Sequence, residues 1–134
     1  MTGGGQEFAA PSPFLAHLGA RMTGWEEGRA LVELPLTPVL MNRQGLPHGG
    51  VHAALLDSVM GFAGCYSPPG APQRLALTLS LTVNFLAQAK TGPLIAEGRV
   101  TGGGRRSYFA EGRVTDAGGR PVASATGVFR RRDP

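Results

Sequence analysis

The chain has 134 residues, 42% of them hydrophobic and only 16% charged, with a formal net charge of +4. That length suits one domain with one core, and the 21 glycines cluster at turns without a period, which excludes a collagen-like or low-complexity chain. A single cysteine, Cys65, excludes an intrachain disulfide, and the lack of any 18-residue apolar run excludes a membrane helix.

Residues 1–11 are Gly-rich and aperiodic and are expected to form a loose tail, with one domain over 12–131. Pro13 opens a short helical turn, Phe14 to Leu18, that stops at Gly19. Residues 20–36 read as a hairpin: Ala30-Leu31-Val32-Glu33-Leu34 alternates, and Glu26-Glu27-Gly28 supplies the turn. A loop from Met41 to Pro47 leads into a helix from Gly49 to about Gly64. Nearly every residue of that helix is small or apolar, which predicts burial on all sides. Pro68-Pro69-Gly70 closes the segment.

Apolar residues then alternate with polar ones through Leu77, Leu79, Leu81, Val83 and Phe85, a period of two that places all five on one face of a strand. Three more strands, at 93–101, 106–115 and 120–130, are joined across Gly102-Gly103-Gly104 and across Asp116 to Gly119. The string Ala-Glu-Gly-Arg-Val-Thr occurs at 96–101 and again at 110–115. A separation of 14 is too short for a solenoid module, so two similar neighbouring strands are expected. The order reads as a hairpin, a long helix and a four-stranded meander: an α+β fold, an antiparallel sheet wrapped around one helix.

Asp57 is the only formally charged side chain between Arg43 and Arg74, and it sits in mid-helix. At helical spacing it is flanked by Gly50, Ala53, Ala54, Met60, Gly61 and Gly64. Burying an unpaired carboxylate is costly, so a carboxylate bordering a small-residue groove points to work on something that approaches closely. The plainer alternative is an aspartate on a half-wet helix. His48-Gly49-Gly50 falls where loop becomes helix, so free backbone N–H groups and the positive end of the dipole point outward. Glycine there lets a ligand come against the backbone, which suits a carbonyl gaining negative charge. A plain Gly-rich helix start is the alternative. His52 has only His48 as a nearby histidine, so no metal is expected; His17 has no partner, and Cys65 reads as buried filler.

Gly49 and Asp57 are eight residues apart, roughly 12 Å along a helix, whereas reacting atoms must come within about 3 to 3.5 Å. With one long helix per chain, a reaction using both needs a second subunit. A two-fold dimer would pair one copy's Gly49 with the other's Asp57, twice.

Twelve of the thirteen basic residues are Arg, and eight lie from Arg99 onward. They form a solvated rim or a contact for phosphate. The pI near 10.2 raises nucleic acid as a partner, but only Tyr108, Phe109 and Phe129 interleave with the Arg cluster, and nucleic-acid binding is not expected.

Asn42, followed by His48-Gly49-Gly50 and then Asp57 with spacings of six and nine, resembles the signature of the PaaI-like (phenylacetate-pathway) hotdog thioesterases. Thr78 sits where such enzymes carry Ser or Thr, and Asp116 to Gly119 with Pro121-Val122-Ala123 is similar to the family's final hairpin. The resemblance covers about residues 14 to 130 and implies a hotdog fold and hydrolysis of acyl-CoA thioesters carrying aryl or short to medium acyl groups. It implies homo-oligomers, a dimer at least and commonly a tetramer, with sites shared between subunits. Asp57 would be the base or nucleophile, Gly49 N–H would polarise the thioester carbonyl, Asn42 and His48 would hold that loop, and Thr78 would orient water. On the residues alone Thr78 could equally face outward on its strand. Arg105 and Arg106 would meet the phosphates of coenzyme A. Pro47 and the Pro68-Pro69 pair could reshape the acyl pocket. No cofactor and no membrane contact is expected, and the cytoplasm is the expected location. A non-catalytic acyl-CoA-binding hotdog protein is the competing reading. A hotdog hydratase would want a histidine beside Asp57, and none is adjacent.

Overall fold

The computed structural model describes residues 11–132, so the reading of residues 1–11 as a tail falls almost wholly outside the described residues. A short helix α1 (Pro13–Leu18) is capped by Ser12, whose Oγ accepts from Leu15 N–H, and ends at Gly19 with φ 96°. The hairpin β1 (Arg21–Glu26) and β2 (Arg29–Leu34) follows, and then the helix α2 (Gly49–Ala63). Strands β3 (Leu75–Phe85), β4 (Leu94–Gly103), β5 (Ser107–Thr115) and β6 (Pro121–Arg132) complete one antiparallel sheet around α2.

The sheet order is β1-β2-β4-β5-β6-β3, which corrects the expected meander. Only β4, β5 and β6 run as neighbours; β3 pairs with β6 at the sheet edge, and β4 fills the centre against β2. The physical sign is loop length. Hairpin loops are short, typically two to five residues, whereas 86–93 must carry the chain from one edge to the middle. Alternation fixes which side chains face inward but not which strand lies alongside.

The repeated hexapeptide has a structural meaning. Its two copies pair antiparallel so that Gly98 faces Gly112 across β4 and β5. A Cβ on Gly98 would overlap the Val59 carbonyl and lie 2.8 Å from Met60 N, and one on Gly112 would lie 3.1 Å from Leu56 Cδ2. The helix therefore sinks its own backbone into a glycine trough in the central strands. Leu55, Leu56, Val59 and Met60 are fully buried there, against Val32, Leu94, Ala96 and Val114.

Within the chain, burial of α2 is one-sided, so its own sheet supplies only part of the expected burial on all sides. Ala53, Ala54, Asp57, Ser58 and Gly61 remain half-buried and Gly50 is exposed. Small residues keep this face apolar in composition while offering little surface for the chain's own sheet to cover.

Arg131, one of the arginines expected to form a solvated rim, is a strut. Its Nε donates to Gly64 O at 2.8 Å, its Nη1 donates to Gly104 O at 2.7 Å, and its guanidinium lies 4.6 Å from the centre of the Tyr108 ring. Tyr108 in turn donates to the Gly61 carbonyl at 2.9 Å, and burial pushes its phenol up. Cys65 is buried beside them, and burial raises its thiol as well.

Asp116 organises the β5–β6 turn. Its Oδ1 accepts from Arg120 N–H at 2.9 Å and Gly118 N–H at 3.0 Å, and its Oδ2 from Lys90 N–H at 3.3 Å. The Arg120 N–H first, then those of Lys90 and Gly118, hold this carboxyl below its ordinary 3.8. A lowered folded pKa means stability that is present above the ordinary value and lost as pH falls through the folded one. Asp116→Asn is expected to be less stable than wild type at neutral pH, with the gap closing in acid as the native carboxyl protonates. Denaturant melts at neutral and acid pH check this; a gap that widens in acid contradicts it.

Candidate active site

Asp57 lies midway along α2 on its half-buried face, and Thr78 Oγ1 donates to its Oδ1 at 2.6 Å. Thr78 reaches it because β3 carries a bulge. Thr78 pairs with Phe129 and Ser80 with Val128, so Leu79 is an extra residue in the strand. Beyond the bulge Leu81 and Val83 pack inward on the core, and before it Ala76 packs inward with Thr78. The single-face reading of 77–85 thus holds for one half only: Leu77 and Leu79 are 54% and 58% exposed. Asp57 and Thr78 line one cleft of about 210 Å³ with Gly61, Phe62, Ala76 and Phe129. Arg74 also lines it, a residue that no motif or spacing singles out.

Asn42, His48 and Gly49 gather at the start of α2. The Asn42 Oδ1 accepts from Gln44 N–H at 2.9 Å and Leu46 N–H at 3.1 Å, which folds the 42–47 loop back on itself. Its carbonyl oxygen is thus committed to the loop, leaving the amide nitrogen as the group that can donate outward. His48 N–H donates to Leu40 O at 2.9 Å, and its Nδ1 accepts from Gly50 N–H at 2.8 Å. His48 is therefore the N-cap of α2, in the tautomer with the proton on Nε2. The cap consumes the Gly50 donor, and Gly49 N–H has no partner among the described residues. Gly49 is also close to Phe85, whose ring edge would lie 3.3 Å from a Cβ added there.

His52 is buried, its ring 6.3 Å from that of Phe85 and its Nδ1 without a hydrogen-bond partner. Burial lowers its pKa, which favours a neutral imidazole. Among the described residues no three His, Cys, Asp or Glu side chains are grouped to hold a metal ion. No helix among them is long and apolar enough to cross a membrane.

The structure thus brings Asp57 and Thr78 together, and Asn42, His48 and Gly49 together, at separate levels of one helix. Arg105 and Arg106 join neither group. Arg106 instead lies with Arg130, Arg132 and Leu77 on the side of β3 opposite Thr78. The two added arginines come from β6, which alternation could have placed on one face but not beside β3.

Two curated relatives share most of the chain. A Pseudomonas aeruginosa protein named "Putative esterase PA0474" is 34% identical over 128 residues, 94% of this chain and 93% of its own. A Saccharolobus solfataricus protein named "Putative esterase SSO2140" is 32% identical over 112 residues, 84% of this chain and 78% of its own. Among solved structures, the conserved protein PA5202 of Pseudomonas aeruginosa superposes with a TM-score of 0.81 at 32% identity, covering 90% of this chain and 94% of its own. The Escherichia coli PaaI protein of the phenylacetic acid degradation operon has a TM-score of 0.79 at 21% identity, over 91% of this chain and 86% of its own, which is a likeness of fold. The α+β architecture of a six-stranded antiparallel sheet around one long helix is that of the hotdog thioesterases. The thioesterase superfamily model matches residues 44–123, from the loop before His48 through Asp57 and Thr78 and into β6, and the chain belongs to that superfamily.

Proposed function

We propose that the protein hydrolyses acyl-CoA thioesters at sites shared between two subunits. One observation carries the reading: a half-buried carboxylate, Asp57, held by the Thr78 hydroxyl inside a cleft whose walls are mostly apolar. Thr78 occupies one carboxylate oxygen and leaves the other for water or for the carbonyl carbon. As base, Asp57 takes a proton from water as the oxygen attacks the thioester carbonyl. The tetrahedral oxyanion accepts from Gly49 N–H of the facing subunit, with Asn42 and His48 fixing that loop. Collapse expels the coenzyme A thiolate, which takes the proton back from Asp57 and leaves a free acid. As nucleophile, Asp57 would form a mixed anhydride that water then opens, with the same donors.

Two features support an oligomer, a dimer at least. The small-residue face of α2 is half-exposed, and β3 is an edge strand bearing exposed Leu75, Leu77 and Leu79. A tetramer is the commoner expectation, and the cytoplasm the expected compartment. Arg106, with Arg105 beside it and Arg130 and Arg132 across the strand, offers guanidinium groups to the phosphates of coenzyme A.

Hydrolysis of a thioester panel, followed by thiol release, tests the activity; saturable acyl-CoA binding without turnover would replace it with the binding-protein reading. Gly49→Pro tests the donor. Proline is tolerated at the first helical position, and His48 at φ −63° and ψ 137° already has the conformation that precedes proline. The variant is expected to lose about 10²- to 10³-fold in kcat, while Gly49→Ala, which keeps the N–H, loses far less. Mixed oligomers of Gly49→Pro and Asp57→Ala subunits are expected to regain activity, since one intact site can form between them. Proven mixing without rescue would contradict the shared site.

A further inference from the structure

We propose that the Asp57 cleft takes an acyl group ending in a carboxylate, and that Arg74 selects it; this rests on the hydrolase reading above. The cleft is charged at two points, Asp57 with Thr78 and Arg74, and its other walls are mostly apolar, Phe62, Ala76 and Phe129 among them, with Ser12 and Ser58 as the polar exceptions. Thr78 and Arg74 are four residues apart along one chain segment, roughly 13 Å when extended.

Arg74 differs from the arginines that hold this fold together. Arg29 contacts Glu97 at 2.6 Å, and Arg131 donates to three carbonyls at 2.8, 2.7 and 3.0 Å. Arg74 Nη1 lies 3.9 Å from Glu27 Oε2 and 3.5 Å from the Tyr66 carbonyl, and its side chain is 37% exposed. Its Nε and Nη2 have no partner among the described residues. A guanidinium carries five donors in a planar fork that matches a carboxylate. A plain alkyl or aryl acyl group would lie with its terminal methyl or ring edge against that charge and offer it no acceptor. A terminal carboxylate would satisfy it with two charge-assisted hydrogen bonds. The polarity also sets direction. Asp57 repels a carboxylate and Arg74 attracts one, so such a substrate enters with its thioester at Asp57 and its free acid at Arg74.

The test compares kcat/KM for hexanoyl-CoA and adipoyl-CoA, which differ in the terminal group alone. Wild type is expected to favour adipoyl-CoA about tenfold. Arg74→Met should lower the adipoyl-to-hexanoyl ratio about tenfold, mostly through KM, Arg74→Lys should keep part of it, and Glu27→Gln should raise it. A structural role for Arg74 would depress both substrates together and leave the ratio unchanged, which overturns the proposal, as does a wild-type preference for hexanoyl-CoA. A wild type that hydrolyses no thioester overturns the hydrolase reading and this one with it, so the two failures are distinguishable.

Discussion

Asp57→Ala is expected to lower kcat for thioester hydrolysis by about 10²- to 10⁴-fold, the range a positioned base supplies, without loss of the fold. The carboxylate faces a cleft rather than the core, and its one hydrogen-bond partner among the described residues is Thr78, a hydroxyl that water can satisfy instead. Alanine is the better helix former and removes a half-buried charge, so the melting temperature should hold or rise. Asp57→Asn sharpens the test, because it keeps an oxygen for the Thr78 hydroxyl while removing the base. Both variants should fall together in kcat. Equal turnover by either variant and wild type would remove Asp57 from the chemistry.

The largest expected effect on stability comes from a residue outside the site. Gly98→Val places a branched side chain where even a Cβ meets the Val59 carbonyl and Met60 N. Those are helix backbone atoms, held by their own hydrogen bonds, so relief requires the whole of α2 to rise from the sheet. Overpacking of this kind costs about 3 kcal/mol, or about 10 °C in melting temperature for a chain of this size. Gly28, at a turn with open space around it, gives the contrast on packing. Thermal melts of Gly98→Val measure the loss; an unchanged melting temperature would mean that the helix does not rest on the strand.

Much of the candidate site was legible because its residues break local rules. A lone carboxylate in an apolar helix and a glycine pair at a helix start both stand out against composition. Asp57, His48 and Gly49 were readable for that reason. Thr78 was not, since its inward aim depends on Leu79 being surplus to the pairing with β6. Pattern within one strand carries no record of its partner's register. The same limit explains the false meander: β3 alternates as any half-buried strand does, and only the length of 86–93 hinted that β4 lies elsewhere. Arg131 and Arg74 share a residue type with the solvated rim, and what separates them is three-dimensional. One is spanned by carbonyls from two turns, and the other lies across a cleft from a carboxylate. The all-apolar character of α2 predicts burial but not by what: the chain's own sheet covers one side and leaves a face of small residues half open.

The surplus residue at Leu79 makes the register of the strand, rather than the chemistry of its residues, a condition for the candidate site. Taking that one leucine into the ladder opposite Phe129, with β6 pairing kept beyond it, would shift the first part of β3 by one place. Leu77 and Leu75 would then turn toward α2, and the Thr78 hydroxyl would turn to the far side of the sheet. A greasy branch would stand where Asp57 now receives a proton donor, with every residue of the motif still present. In a strand read two residues at a time, a frame of one decides which half of the alphabet meets the carboxylate.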